Sequence, residues 1–111
     1  MLPHLVFYTN FSIPKRFAAH TRGPFVFIRP EHRGDTGLLS HELTHVKQWY
    51  KNPAFGLFYR FSKNFRLNSE VQAYREQLKH SPNSVDLFAK YISEDYNLDV
   101  SVDEAKRLLT R

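Results

Sequence analysis

Two histidines and a glutamate lie within one five-residue segment of this chain, His41-Glu42-Leu43-Thr44-His45. Residues four apart in an α-helix project from the same face, so both imidazoles could reach a single metal ion. Imidazole is a ligand that Zn²⁺ favours, and a catalytic zinc site keeps one position open for water. Glu42 flanks the same face and could take a proton from a water molecule that attacks a carbonyl carbon. The motif therefore predicts a zinc site that carries its own general base.

A site of this type needs a third protein ligand, and cysteine cannot supply it because the chain contains none. Lys51 occupies the position at which the longer metzincin-type motif has its third histidine, which disfavours that class. Glu70 is the leading candidate, because it stands at the start of the next predicted long helix. Ala73, one turn later, is small enough to let that helix approach the first one closely. Glu76 is the weaker candidate, because it points elsewhere on the helix.

The motif must lie on a helix, and the surrounding sequence predicts one from about Leu38 to Lys51. Asp35 or Thr36 is the expected N-cap, and the helix should stop near Pro53. Residues with helical spacing predict the side that faces the core: Leu39, Leu43, Val46 and Tyr50. The two histidines and Gln48 fall on another face, so one side of this helix serves the core and the other the metal.

Three further helices are predicted at 69–80, 85–95 and 102–110. Ser69 with Gln72, and Ser101 with Glu104, fit the capping-box pattern of a helix start. Strands are predicted at 5–9 and 25–29. The second is bracketed by prolines, which confine it to an edge position or to a short length. As an edge strand it could pair with an extended peptide, and as a core strand it would only pack.

Length and composition predict one globular domain over residues 1–111, and the predicted strands and helices make it α+β, with a C-terminal helical segment from about 84 to 111. The chain is 41% hydrophobic and 15% aromatic, with a net charge of +5 and a pI near 9.6. The basic residues are scattered without a tight run, so no specific nucleic-acid site is predicted. The N-terminus has no signal-peptide pattern and no segment is long and apolar enough to span a membrane, so a cytoplasmic location is expected.

An aromatic and basic stretch covers residues 54–67, with the sequence AFGLFYRFSKNFRL. Packing of its rings in the core, with basic side chains extending to solvent, is the prediction we favour. An interfacial helix that contacts a membrane or a partner is the alternative.

The pentapeptide H-E-L-T-H, followed on a later helix by E-x-x-A at Glu70-Val71-Gln72-Ala73, resembles the gluzincin branch of zincin metallopeptidases. The small size, the extension H-E-x-x-H-x-x-Q ending at Gln48, and the preceding F-V-F-I-R-P segment are most similar to minigluzincins and compact phage-type metallopeptidases. The resemblance covers about residues 20–80. It implies an upper-rim strand at 25–29, an active-site helix and a glutamate-bearing helix that closes a shallow cleft.

Transferred residue by residue, the resemblance implies that His41, His45 and Glu70 bind Zn²⁺ and that Glu42 is the general base of a metalloendopeptidase acting on peptide or protein substrates. One departure is Tyr74, which stands where thermolysin-type enzymes have an aspartate that orients a zinc histidine. A backbone carbonyl or Asn68 would then have to orient it. No residue is assigned to stabilise the oxyanion, and the candidates are Tyr74, His80, Tyr91 and Tyr96. The alternative function is a latent or inactive zinc-stabilised binding module.

Overall fold

Three short strands and five α-helices make up residues 2–111, the part of the chain that the computed structural model describes. The strands are β1 (Leu5–Tyr8), β2 (Ala19–Arg22) and β3 (Phe25–Ile28), and the helices are α1 (Thr36–Lys51), α2 (Phe55–Phe61), α3 (Lys63–Leu78), α4 (Val85–Asp95) and α5 (Val102–Thr110). Short 3-10 turns precede α1 and α4, at Pro30–His32 and Pro82–Ser84. The chain is thus of the α+β class that the sequence predicts.

The strands form one sheet in the order β1-β3-β2, with β1 parallel and β2 antiparallel to β3. The prolines around β3 limit its length and do not place it at an edge, since β3 is the central strand. The edge strand beside the cleft is β2, so the expectation of an upper-rim strand at 25–29 is wrong. The sequence of β2, A-H-T-R, is polar and lacks strand-forming signals, and its turn into β3 uses Gly23 at a φ of +57°. Pairing with β3 makes it a strand.

Helix α1 forms as predicted, with Asp35 as its N-cap. The Asp35 carboxylate accepts a hydrogen bond from the Leu38 backbone N–H at 3.0 Å. Val46 is fully buried, and the other residues of the predicted stripe pack around it against Val26 and Ile28 of the sheet. The sheet therefore occupies one side of α1 and leaves the histidine side to face α3.

Helix α3 starts earlier than the sequence predicts, at Lys63 rather than at residue 69. Ser62 is its N-cap, because the Ser62 hydroxyl accepts from the Phe65 backbone N–H at 3.1 Å. Ser69 fits the capping pattern but lies inside the helix, 5% exposed, where its hydroxyl bonds to another helix. A capping box is a local pattern, and here a cap further upstream extends the helix by more than one turn.

Helices α4 and α5 form the other end of the molecule with the bounds that the sequence predicts. The Ser101 hydroxyl accepts from the Glu104 backbone N–H at 3.0 Å and caps α5. Phe88, Ile92 and Leu109 are buried in a cluster that covers the outer side of α3. Within residues 2–111 no helix combines the length and the apolar character that crossing a bilayer requires.

Candidate metal centre

Three buried side chains meet where α1 packs on α3. His41, His45 and Glu70 are 3%, 8% and 2% exposed. The Nε2 atom of His41 lies 3.2 Å from Glu70 Oε1, and the Nε2 atom of His45 lies 3.2 Å from Glu70 Oε2. One potential ligand atom from each residue lies within 4.8 Å of the others, so this group could hold a metal ion. The weaker candidate, Glu76, pairs with Lys79 at 2.6 Å instead.

Small residues allow the two helices to approach closely enough for these side chains to meet. Ala73, one turn beyond Glu70, is completely buried. At the other end of the contact a Cβ atom on Gly37 would come within 3.3 Å of His80 Cβ, a separation that few real contacts reach. The spacing of the histidines selects one face of α1, and these small residues let α3 bring Glu70 against it.

The electrostatics of the group suit a cation between the side chains. Burial alone raises the pKa of Glu70, but His45 and the close contacts with the Nε2 atoms of both histidines outweigh burial and lower it below its usual range. Burial also lowers the pKa of His45, and the Glu70 carboxylate opposes this and raises it to about 9. The carboxylate is therefore ionised and a proton balances its charge. A divalent ion could replace that proton, since metal ligands bind in their deprotonated forms.

The donor atoms also fit a metal ion. Glu70 Oε1 is buried and accepts no well-oriented hydrogen bond, although it lies beside His41 Nε2. Two imidazoles and a carboxylate form a set that suits several divalent ions, Zn²⁺ among them. A buried acceptor without a donor is costly, and coordination would satisfy it.

A network of side chains orients His45 from behind. Its Nδ1 atom lies 2.8 Å from Gln48 Oε1. The Gln48 amide donates to the Ser69 carbonyl at 3.2 Å and to Gln72 Oε1 at 2.7 Å, and the Ser69 hydroxyl donates to Gln48 Oε1 at 2.8 Å. This support comes from Gln48 and Ser69, and not from Asn68. The partner of Nδ1 is an acceptor, so the ring carries a proton there and turns Nε2 toward Glu70.

Tyr59 of α2 contacts the group and was not predicted from the sequence. Its hydroxyl donates a hydrogen bond of 2.6 Å to Glu70 Oε2. Burial and the nearby Glu70 carboxylate raise the pKa of Tyr59 far above its usual range, so the phenol stays neutral and remains a donor. Arg66 fixes the backbone of α2 by donating to the Tyr59 carbonyl at 2.7 Å. Tyr59 is one of several aromatic residues in this stretch, and local sequence gives no sign of which ring points inward.

Glu42 lies beside the metal group and in contact with the edge strand. It is 6% exposed, and its Oε2 atom is 3.7 Å from His41 Nε2. Its other carboxylate oxygen, Oε1, accepts a hydrogen bond of 2.7 Å from the Thr21 hydroxyl of β2. Thr21 therefore holds one oxygen of Glu42 and leaves the other directed toward His41. Thr21 was not predicted because β2 itself was not.

Tyr74 packs its ring against His41 and does not give that histidine a hydrogen-bond acceptor. The ring packs edge-on against His41 at a centroid distance of 4.3 Å, and the hydroxyl bonds to the Tyr96 hydroxyl at 2.7 Å. Among residues 2–111, His41 Nδ1 has no hydrogen-bond partner. The two histidines are thus held differently, His45 by a polar network and His41 by packing.

Two cavities adjoin the group and share Glu42 and His41 in their walls. The larger, about 740 Å³, lies between β2 and α2 and includes all three potential ligands. The smaller, about 580 Å³, extends on the other side toward α4. Glu42 therefore lines both cavities.

His20 and Tyr96 are among the side chains in these cavities that could donate hydrogen bonds to an oxyanion. Tyr96 lines both cavities, whereas His20 of β2 lines the larger one. Burial is the main cause of a lowered pKa at His20, which keeps this ring neutral near pH 7. Of the other candidates, Tyr91 packs on Phe88 and lines only the smaller cavity, and His80 lines neither. His20 was not predicted, again because β2 was not.

No family model, curated protein or solved structure matches this chain. What the site can do chemically therefore follows from its own residues. It combines a buried group that could hold a metal ion, a carboxylate with one free oxygen and an edge strand that lines the larger of two adjoining cavities.

Proposed function

We propose that this protein is a zinc-dependent metalloendopeptidase of the gluzincin type. The observation that carries the proposal is the position of Glu42, which lies against the His41, His45 and Glu70 group and opens into the cleft. A general base must be within reach of the water that it activates, and the free oxygen of Glu42, 3.7 Å from His41 Nε2, supports that role.

His41, His45 and Glu70 would hold the zinc ion. When bound, Zn²⁺ supplies Lewis acidity, which polarises a carbonyl group and lowers the pKa of water. Among residues 2–111 the group has no fourth His, Cys, Asp or Glu member. Structural zinc sites usually have four protein ligands, whereas catalytic sites have three and an open position. The number of ligands therefore supports catalysis over a purely structural ion.

The remaining residues have roles in the proposed reaction. Glu42 takes a proton from the attacking water and gives it to the leaving amine, while Thr21 keeps the carboxylate in place. An extended peptide would pair with the edge strand β2, whose residues line the larger cavity. His20 or Tyr96 would donate to the carbonyl oxygen as it gains negative charge.

The alternative function, from a different class, is a zinc-stabilised binding module without hydrolytic activity. The near-complete burial of all three ligands favours it, because a substrate carbonyl must reach a catalytic ion. Zinc-dependent cleavage of an unstructured protein, lost on chelation, distinguishes the enzyme from the binding module.

The role of Glu42 is tested by comparing Glu42→Gln with a control, Glu94→Gln, which changes an exposed glutamate on α4. We expect Glu42→Gln to abolish cleavage and to retain zinc, because the base is lost and the ligands are kept. Glu94→Gln should leave both unchanged. Cleavage by Glu42→Gln at the wild-type rate would contradict the mechanism, and zinc binding without cleavage in the wild type would favour the binding module.

A further inference from the structure

Helix α2 exposes an apolar surface to solvent. Leu57, Phe58 and Phe61 are 62%, 48% and 74% exposed. At 100° per residue these positions fall within about 100° of one another around the helix, so they form one continuous surface. We call these three residues the α2 face. An exposed apolar surface of this kind often marks a site that binds a protein, a membrane or a ligand.

The opposite side of α2 is fixed to the protein, so the helix cannot rotate to bury the α2 face. Tyr59 donates to Glu70, and Phe55 packs against Phe65 at a centroid distance of 5.3 Å. A helix that is apolar on both sides is usually buried on both sides. Within residues 2–111 nothing covers the outward side. The core packing that the sequence favoured for residues 54–67 thus holds for the inner rings and is wrong for the α2 face.

Basic side chains predominate in the segment that carries the α2 face, although Asp99 pairs with Lys63 at its edge. Residues 43–69 contain five basic side chains and no aspartate or glutamate: Lys47, Lys51, Arg60, Lys63 and Arg66. Lys51 and Arg60 are exposed and form no ion pair with any residue of 2–111. The Arg60 guanidinium lies 5.4 Å from the Phe61 ring centroid, at the border of the α2 face. An unpaired basic side chain therefore lies directly beside the apolar α2 face.

We propose that the α2 face docks this protein onto a lipid bilayer that contains anionic lipids. Rings and a leucine on one side of a helix enter the boundary between headgroups and acyl chains, and flanking basic residues attract anionic headgroups. A second copy of the chain fits less well, because a symmetric contact through this surface would bring the Arg60 side chains of both copies close together, and Arg60 has no acidic partner within residues 2–111.

Docking in this way would place the cleft at the membrane surface. Leu57 belongs to the α2 face and also lines the larger cavity, and Arg22, exposed at the end of β2, lines the same cavity. The mouth of the cleft is thus continuous with the docking surface. Substrates at or near the bilayer would enter it directly.

Co-sedimentation of the full chain with vesicles tests the proposal. We expect binding to vesicles of phosphatidylcholine mixed with phosphatidylserine, weaker binding to phosphatidylcholine alone, and a loss of binding as salt is raised. Replacing Leu57 and Phe61 by serine should weaken the binding about tenfold or more, because both side chains lose their burial in lipid. The double change Lys51→Gln and Arg60→Gln should weaken binding to the anionic vesicles by a similar factor, at about fivefold per charge.

Phe11→Ser is the matched control, because Phe11 is 76% exposed and lies in the loop after β1, outside the α2 face. It should bind as the wild type does. Equal binding by the Leu57/Phe61 variant, or no binding by the wild type, would overturn the proposal. A dimer in solution that dissociates when Leu57 and Phe61 are replaced would also overturn it. Glu42→Gln should bind vesicles as the wild type does. A failure of membrane docking can therefore be distinguished from a failure of the proposed peptidase activity.

Discussion

At the scale of single residues, the group is held by contacts that come from outside the motif. Tyr59 donates to one oxygen of Glu70, and Gln48 accepts from the ring of His45. Partners of this kind keep a ligand in the orientation that a metal requires. Each gives a prediction that concerns metal affinity and is independent of turnover.

Replacing Tyr59 by phenylalanine removes the hydroxyl and keeps the ring. We expect the Tyr59→Phe change to weaken zinc binding about tenfold or more, since lost partners of metal ligands typically have that effect. Competition titration against a zinc chelator measures it. Tyr91→Phe is the control, because no hydrogen bond involves the Tyr91 hydroxyl in the described chain. Equal zinc affinity for Tyr59→Phe and wild type would show that Glu70 needs no such support.

Gln48 and Gln72 allow a graded comparison within one network. Gln48→Leu should weaken zinc binding about tenfold or more, because His45 Nδ1 loses its acceptor. Gln72→Leu should have a smaller effect, because the Gln72 side chain bonds to the Gln48 amide and does not reach His45 directly. The same chelator competition ranks the two variants. Equal effects of both changes would contradict the view that Gln48 supports His45 directly and Gln72 only through Gln48.

At the scale of elements, the closeness of α1 and α3 decides whether the ligands meet. Ala73 is completely buried at their contact. Ala73→Leu should force the helices apart, lowering the free energy of unfolding by about 1–3 kcal/mol and abolishing zinc binding. Urea denaturation and zinc titration measure the two effects. Ala54→Leu, at an exposed position before α2, is the control. Normal zinc binding by folded Ala73→Leu would mean that Glu70 reaches the histidines without the close contact.

Some elements are predictable from sequence because local signals coincide. In α1 a capping aspartate, a core stripe and a following proline all agree, and the structure has the helix that they indicate. The start of α3 and strand β2 were missed because local signals there were ambiguous or absent. A serine cap at Ser62 precedes a second capping pattern at Ser69, and β2 is stabilised by pairing with a strand rather than by its own residues.

The residues of the site also divide into those that local sequence patterns predict and those that only tertiary packing brings in. The spacing of His41 and His45 is a property of one helix, so the sequence predicts their shared face. Glu70 follows from the need for a third ligand. Thr21, His20 and Tyr59 reach the site through tertiary packing, which no local pattern specifies. Their positions at the site follow only from the assembled elements.

At the scale of the whole molecule, a bound ion would join the two halves of the structure. The sheet packs on α1 and the C-terminal helices pack on α3, so the ligands bridge both clusters. An ion that binds only the folded chain stabilises it, by about 2.7 kcal/mol at a free concentration one hundred times the Kd. Chelation should therefore lower the melting temperature of the wild type and of Glu42→Gln, measured by calorimetry. A melting temperature that chelator leaves unchanged would contradict this.

The most direct test of the central claim is a zinc titration of the metal-free protein by isothermal calorimetry. The wild type should bind one zinc ion per chain, and His45→Ala and Glu70→Ala should each bind much more weakly, because each removes one of three ligands. Glu76→Ala, on the same helix as Glu70, should bind as the wild type does. The predicted result is one zinc ion per chain, with wild-type affinity in Glu76→Ala and much lower affinity in His45→Ala and Glu70→Ala. No zinc binding by the wild type, or unchanged binding by Glu70→Ala, would contradict the account.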